Sequence, residues 1–219
     1  AIPVLDSIGR LVGQITVDDV MDEVREQSER DYQLASGLSQ DVETDDNVFR
    51  QTTARLPWLI IGMLGGIGNS MILGNFDATF AAHPEMALYI PLIGGTGGNV
   101  GTQSSALVVQ GLANSSLDSG NTLQQVLKES VVALINATII SMLVYIYNFI
   151  RFGATATVSY SVSISLFAVV MFASIFGTLV PMTLEKLKVD PAIATGPFIS
   201  ITNDIIGMMM YMGITVLLS

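Results

Sequence analysis

Beyond Pro57 the chain consists largely of apolar segments, and each is long enough to cross the hydrocarbon core of a bilayer. One crossing takes about 20 helical residues. We place about five transmembrane helices, near residues 57–80, 87–113, 126–150, 158–184 and 192–217. Only 13% of the residues are charged, against about 25% in soluble domains. The sequence therefore predicts an all-α membrane protein.

The acidic residues are concentrated in front of these segments. Twelve of the 19 acids precede residue 50, and between residues 18 and 46 eleven acids accompany only Arg25 and Arg30. Such an acidic arm favours cations or basic surfaces as partners and argues against nucleic acid. The chain has no cysteine, which excludes disulfides and thiolate metal sites.

The arm has local structure of its own. Residues 1–15 predict two short strands around a turn, and Thr16 with Asp19 three residues later is typical of a capping box that opens a helix. We expect that helix to end near Gly37 and residues 39–55 to form a polar linker. Because the chain opens inside a strand-like segment, we also expect it to be a fragment of a longer protein.

The basic residues predict the orientation, since cytoplasmic loops carry an excess of Lys and Arg. With the N-terminus in the cytoplasm only Arg151 lies outside, and the cytoplasmic residues are Arg10, Arg25, Arg30, Arg50, Arg55, Lys128, Lys186 and Lys188. Five spans then put Ser219 outside. We expect a multi-pass protein of the plasma or inner membrane.

Asp204 is the ionisable residue that lies deepest inside a predicted span. An acid at a helix centre costs about 2.5 to 3.5 kcal/mol even on insertion scales. A carboxylate that faces a water-filled lumen keeps its solvation and attracts cations, which is typical of an ion pathway. The alternative is a hydrogen bond to Thr202, Asn203 or a neighbouring helix. Ser200, four residues earlier, shares its helix face and favours the pathway.

The second span contains the run GGTGGNVGTQSS at 94–105, which is too polar for a helix that faces lipid. Glycines let the backbone approach an ion or another helix, and irregular backbone at this depth occurs only where it lines a cavity or is buried in protein. Close packing through Gly97 and Gly101 is the compatible alternative. A phosphate-binding loop would need a lysine that the run lacks. In the first span, Gly62 and Gly66 indicate packing alone.

Two segments resemble the signatures of the MgtE family of magnesium channels: PLIGGTGGNVGTQ at 91–103 and DPAIATGPFISITND at 190–204. The resemblance covers the whole chain. Residues 1–24 resemble the closing half of a CBS domain, 25–56 the acidic connecting, or plug, helix with its linker, and 57–219 the five-helix pore domain.

The resemblance implies a homodimer in the lipid bilayer, with its pore on the two-fold axis and lined by spans two and five of both subunits. It implies that Asp204 is the selectivity carboxylate and that the carbonyls of Gly95 and Gly98 surround a hydrated ion. Ser200 stands where the family tends to have a small pore-facing residue. Further residues expected to line the pore are Asn99, Thr102 and Asn203.

Magnesium is the ion that this chemistry favours. It is small, requires octahedral geometry and releases water slowly, so a pore that contacts its hydration shell through carboxylates and carbonyls avoids most of the dehydration barrier. Hard oxygen ligands also admit manganese, cobalt or calcium to some extent. The sequence therefore predicts a magnesium channel or transporter rather than an enzyme.

The acidic helix after Thr16 is predicted to be a gate that senses cytoplasmic magnesium. Its acids crowd neighbouring faces of one helix, so they repel one another until a divalent ion bridges them. Closure is expected at the inner mouth of the pore, and the residues assigned to the sensor are Asp18, Asp22, Glu26, Glu29, Glu185 and Asp190. The alternative is a helix that only keeps the arm soluble.

Two other functions fit parts of the sequence. In a proton-coupled transporter of divalent cations, Asp204 would bind and release a proton in each cycle. In a nucleotide-sensing membrane anchor, Thr16 and Asp19 would stand where some CBS domains hold adenosine ribose. Adenine nucleotide is then expected to bind only when the missing half of that domain is present. A membrane anchor would not require the polar residues of the fifth span, so this function leaves them unexplained.

Overall fold

The computed structural model describes residues 1–114, 117, 122–153 and 157–218, so the predicted outside position of Ser219 lies beyond the described residues. Within them the chain forms one hairpin and a series of long helices. The elements are β1 (Ile2–Leu5), β2 (Leu11–Ile15), α1 (Val17–Ala35), α2 (Val48–Gly74), α3 (Asp77–Ala82), α4 (Ile90–Ala113), α5 (Thr122–Phe152), α6 (Thr157–Lys186) and α7 (Gly196–Leu218), with 3-10 turns at Pro84–Tyr89 and Pro191–Ala194.

The arm folds locally as its sequence predicts. β1 and β2 pair as an antiparallel hairpin, and Thr16 caps α1 in a reciprocal capping box with Asp19. Hydrogen bonds from the Thr16 hydroxyl and backbone hold the pKa of the Asp19 carboxyl below its ordinary value. Gly37 has a φ of +82° just past the end of α1, a conformation that favours glycine and stops the helix.

The predicted linker 39–55 is wrong in its second half, because α2 begins at Val48 instead of near Pro57. Asn47 caps α2 with its side chain, and the Ser39 hydroxyl donates to the Ala54 carbonyl at 2.9 Å, which folds the linker onto α2. Pro57 sits inside α2. The domain boundaries predicted after residues 24 and 56 therefore fall within α1 and α2.

Among the described residues, four helices are long and apolar enough to cross a membrane: α2, α5, α6 and α7. They overlap the predicted first, third, fourth and fifth spans. α4 has 24 residues and occupies the predicted second span, but its glycines and polar side chains keep it out of that apolar set. The prediction of an all-α membrane protein is confirmed. The glycine run forms a regular helix, which excludes a phosphate-binding loop.

α6 lies at the centre of the helix packing. α4, α5 and α7 all pack against α6, α4 also packs against α7, and α2 packs against α7. Small residues permit the closest approach, because a Cβ added at Gly177 of α6 would meet the backbone of Gly101 in α4. Of the 27 residues of α2 only Ala54 and Gly65 are buried, so α2 lies at the edge of the bundle.

The beginning of α4 is anchored by two tyrosines. Tyr89, just before α4, forms a buried hydrogen bond to the Asn148 side chain of α5. Tyr211 of α7 donates its hydroxyl to the Met86 carbonyl at 2.8 Å. Buried hydroxyl groups that are paired in this way fix the helices relative to one another. The start of α4 is thus held against both α5 and α7.

Candidate functional site

Asp204 lies in the third turn of α7 and faces α4. Its Oδ1 is 3.4 Å from the point where a Cβ would stand at Gly94, and 3.4 Å from the same point at Gly98. Gly94 and Gly98 are four residues apart and therefore share one face of α4. The absence of side chains on this face lets the carboxylate lie directly against the helix backbone.

Ser200 lies one turn before Asp204 and meets the same face of α4. Its Oγ is 2.8 Å from the point where a Cβ would stand at Gly98. The structure thus brings together three residues that the sequence assigned to the ion site, Asp204, Ser200 and Gly98. It adds Gly94, which the sequence analysis did not single out, although its spacing of four from Gly98 was available as a signal.

Asp204 is partly exposed and, among the described residues, takes part in no hydrogen bond or ion pair. The predicted alternative, a carboxylate satisfied by Thr202, Asn203 or a neighbouring helix, is therefore not what the structure contains. An unpaired carboxylate at membrane depth requires water or a cation. Since the described residues supply no partner for the Asp204 carboxylate, its partner is water or an ion.

Three other predicted residues lie on an adjacent face of α4. Gly95 and Asn99 are exposed and Thr102 is partly exposed, and their spacing of four and three places them along one stripe. Apart from the backbone of α4 itself and the two neighbouring residues, no atom of the described residues lies within 4 Å of the point where a Cβ would stand at Gly95. In a regular helix each interior carbonyl already accepts one hydrogen bond, so the Gly95 and Gly98 carbonyls each retain one lone pair.

Asn203 differs from the other predicted pore residues. Its side chain is 1% exposed and packs against Gly101, between α4 and α7. Neither amide atom has a hydrogen-bond partner within the described part of the chain. The structure therefore places Asn203 in the interface between α4 and α7, away from the exposed stripe.

The packing alternative for the glycine run is also correct. A Cβ at Gly97 would lie 3.0 Å from Val169 of α6, and one at Gly101 would overlap the Asn203 amide. Gly97 and Gly101 thus serve packing while Gly94 and Gly98 face Asp204. In α2 the predicted packing holds for Gly62, whose added Cβ would lie 3.8 Å from Ile201, but within the described chain an added Cβ at Gly66 would meet no other helix within 4 Å. The neighbouring Gly65 packs against Ile201 instead.

The predicted sensor acids of α1 are all exposed. Two of them pair with arginines of the same helix: Arg25 Nε to Glu29 at 2.9 Å and Arg30 to Glu26 at 3.1 Å. These exposed pairs are individually weak, but they reduce the net repulsion along α1. Asp18 and Asp22 lie nearer the start of α1.

The second half of α1 approaches the ends of the membrane helices. A cavity of about 400 Å³ is lined on one side by Gln27 and Asp31 of α1, and on the other by Glu185, Lys188 and Asp190. The structure therefore brings α1 close to Glu185 and Asp190 through Asp31, which is not among the predicted sensor residues.

The end of α1 also contacts the start of α7. A Cβ at Gly37 would overlap the Pro197 ring, and one at Gly196 would overlap the Ala35 carbonyl. Asp190 caps the turn before α7 by accepting the Ala192 N–H at 2.9 Å. A displacement of α1 would therefore act directly on the first residues of the helix that carries Asp204.

A second acid inside the helix bundle was missed entirely. Glu129 lies two turns into α5 and accepts a hydrogen bond from the Ser104 hydroxyl at 2.7 Å and another from Ser174. Glu129 stands near the start of a predicted span, where interfacial charges are ordinary, so its position in the sequence does not mark it as half-buried. Its two serine partners lie far away in sequence and gave no signal.

The described residues contain no group of three acidic, histidine or cysteine side chains placed to hold a metal ion. The fold and site together define a class of protein. It is a multi-pass helical membrane protein in which a carboxylate at the middle of one span lies against the glycine face of another.

Comparison with known proteins gives the family. The sequence model of the MgtE family, described as "Divalent cation transporter", matches residues 90–214, which include α4 through most of α7. That match covers more than half of the chain. The chain belongs to the MgtE family.

Three curated relatives, each named "Magnesium transporter MgtE", match nearly the whole chain. The Bacillus subtilis (strain 168) protein is 34% identical over 214 residues, covering 98% of this chain and 47% of that protein. The Thermus thermophilus protein is 33% identical over 223 residues, with 99% and 48% covered. The Enterococcus faecalis protein is 29% identical, with 98% and 47% covered. The chain spans about half the length of the curated relatives it matches.

Proposed function

We propose that this chain is the membrane part of a magnesium transporter and that the ion passes beside Asp204. The observation that carries the proposal is the unpaired carboxylate at the middle of α7, lying against the side-chain-free face formed by Gly94 and Gly98. Membership of a divalent cation transporter family supports the same reading, and magnesium is the ion named for the three relatives.

The chemistry of the site suits a hydrated ion. Mg²⁺ holds its waters tightly and binds hard oxygen at octahedral geometry, so a pore need only hydrogen-bond to its water shell. Asp204 supplies the negative charge, Ser200 a hydroxyl, and Gly98 and Gly95 carbonyl lone pairs. Other divalent ions that accept oxygen ligands, such as Mn²⁺, Co²⁺ and Ca²⁺, should pass less readily because their size and hydration differ.

The proposed pore requires two copies of the chain. The stripe of Gly95, Asn99 and Thr102 is exposed on α4, and polar backbone and side chains at membrane depth need water or protein beside them. A homodimer in which α4 and α7 of both copies surround one water-filled axis would cover this stripe and double the carboxylate. With the N-terminus in the cytoplasm, the pore would open inward near Glu185 and Asp190.

Cytoplasmic magnesium is proposed to close this pore through α1. The cavity between Asp31, Glu185 and Asp190 offers carboxylates from both sides of the inner mouth. A divalent ion there would draw α1 toward the ends of α6 and α7, while scarcity would leave the acids of α1 to repel one another. Contact between the end of α1 and the start of α7 would carry the movement to Asp204.

The direct test is magnesium flux into liposomes, followed with a magnesium-sensitive dye. Asp204→Ala should abolish flux, and Asp204→Asn should lower it by roughly tenfold or more, because hydrogen bonds to a charged group are worth about 1.5 to 3 kcal/mol. Asp77→Asn removes an exposed acid at the beginning of α3 and is the matched control. Normal flux in Asp204→Ala would refute the site.

A further inference from the structure

The buried polar cluster around Glu129 lies outside the ion site described above. Glu129 is half-buried in α5, and its Oε1 accepts from the hydroxyls of Ser104 in α4 and Ser174 in α6. The two serines are 4% and 1% exposed, and their oxygens are 3.0 Å apart. One carboxylate oxygen therefore joins three membrane helices at a single point.

This junction stands beside a gap in the packing. α4 and α5 both lie against α6, and between them is a cavity of about 570 Å³ whose polar lining includes Gln103, Lys128 and Asn136. On the side that faces α5, α4 therefore has fewer packing contacts than it has against α6 and α7. The Glu129 bridge crosses the gap and supplies two hydrogen bonds between the helices there.

The bridge holds the side of α4 that packs against α6. Ser104 follows Gly97 and Gly101 at spacings of seven and three, so the three lie on one face. Gly97 touches Val169 of α6, while Gly94 and Gly98, about a quarter-turn away or less from this face, touch Asp204. A rotation of α4 toward the gap would therefore change how its glycine face meets the carboxylate.

We propose that Glu129 is a positioning residue for ion passage: its carboxylate binds Ser104 and Ser174 and thereby fixes the rotation of α4 against Asp204. Glu129 does not itself contact the ion. This inference rests on the proposed function, because the position of α4 would determine how well the site at Asp204 discriminates between divalent ions. Lys128, beside it in the sequence, lines the cavity but is not one of its hydrogen-bond partners among the described residues.

Ion discrimination in liposomes tests the positioning role. In Glu129→Ala the ratio of Mg²⁺ to Ca²⁺ flux should change by roughly threefold to tenfold, the range expected when one buried hydrogen-bonded junction in a membrane protein is lost. Glu129→Gln should retain most of the normal ratio, because its amide oxygen can accept both hydroxyls. Ser130→Ala is the control, since among the described residues that hydroxyl bonds the Val126 carbonyl of its own helix, at 2.7 Å.

The serine variants keep the test decisive if Glu129→Ala folds poorly. The double variant Ser104→Ala, Ser174→Ala should reproduce the altered ratio, because it removes both hydroxyls that bind Glu129. An unchanged ratio in the double variant overturns the proposal. So does a lower melting temperature with a normal ratio, which would indicate a purely structural role.

A flux-free measurement separates this inference from the proposed function. Because the chain has no cysteine, spin labels can be placed at Ala106→Cys in α4 and Met209→Cys in α7, both exposed positions. Their distance distribution should shift in Glu129→Ala and remain normal in Glu129→Gln. Absent magnesium flux in the unaltered chain with the expected shift refutes the transport proposal alone, whereas identical distances in all variants overturn the role of Glu129.

Discussion

At the scale of single residues, the glycines decide how closely the helices approach one another, because glycine has no side chain. Four glycines of α4 divide between two tasks: Gly94 and Gly98 meet Asp204, while Gly97 and Gly101 meet packed side chains. In a bilayer the hydrophobic effect does not drive helices together, so close van der Waals contact through small residues carries more of the association. Substitutions at these positions should therefore act through packing, through the ion site, or through both.

Gly177→Ala tests the packing contribution. The added methyl would meet the backbone of Gly101, which cannot move aside as a side chain can. We expect a loss of about 1 to 3 kcal/mol, the usual size of overpacking, seen as a lower melting temperature in detergent. Gly66→Ala is the control because nothing lies within 4 Å of its added Cβ, and it should melt at or above the normal temperature. Equal melting of both variants would contradict the close α4–α6 contact.

At the scale of elements, α1 is the part whose role depends most on its position. Its predicted sensor acids lie between residues 18 and 29, and two of them, Glu26 and Glu29, are paired with arginines. Asp31, nearer the end of α1, lines a cavity together with Glu185 at the end of α6 and Asp190 just before α7. A sensor needs carboxylates on both of the surfaces that an ion is to join. Asp31 meets this condition together with Glu185 and Asp190.

Asp31→Asn should make closure less sensitive to magnesium. We expect the magnesium concentration that halves flux to rise by about two- to fivefold, the size of a partly exposed charge interaction. Asp22→Asn removes the same charge nearer the start of α1, and it should shift this magnesium concentration less. Combined amide substitution of Asp18, Asp22, Glu26 and Glu29 should also weaken the dependence. Magnesium at millimolar concentrations should protect α1 of the unaltered chain from proteolysis.

One combination of results would contradict the proposed gating role of α1. If the magnesium dependence of flux is the same in the amide variants as in the unaltered chain, and magnesium gives α1 no protection from proteolysis, then α1 only keeps the arm soluble. The flux assay and the proteolysis assay are independent, so both must fail before the gate is abandoned.

At the scale of the whole molecule, the central question is how the energy of ion movement is supplied. In a proton-coupled cycle, Asp204 would have to bind a proton and release it again. The structure gives it no basic partner and no hydrogen bond among the described residues, and α4 lies against it as a continuous helix. A passive path for a hydrated ion needs only the fixed charge and the adjacent glycine face.

Magnesium flux should therefore survive collapse of the proton gradient. In liposomes with a magnesium gradient, a protonophore should leave the initial rate of dye response within about twofold of its untreated value. Liposomes that contain Asp204→Ala give the background. A rate that falls to that background when the proton gradient is removed would favour the coupled transporter instead.

The sequence alone determined those features that depend on local chemistry. Apolar length fixed the membrane helices, the Thr16 to Asp19 spacing fixed the start of α1, and Gly37 fixed its end, because each is decided within a few residues of chain. The rarity of an acid deep inside a span also made Asp204 the candidate for the ion site. The family resemblance read from the residues agreed with the later comparison.

Only the tertiary structure decided which residues meet. A helix sequence states which residues share a face, but the rotation of that helix is set by the side chains of its neighbours. For this reason Gly94 lies beside Asp204, Asn203 packs against Gly101, and Gly65 rather than Gly66 faces α7. The bridge from Glu129 to Ser104 and Ser174 joins residues 25 and 45 positions apart, and only the packing of three helices around one carboxylate brings them together.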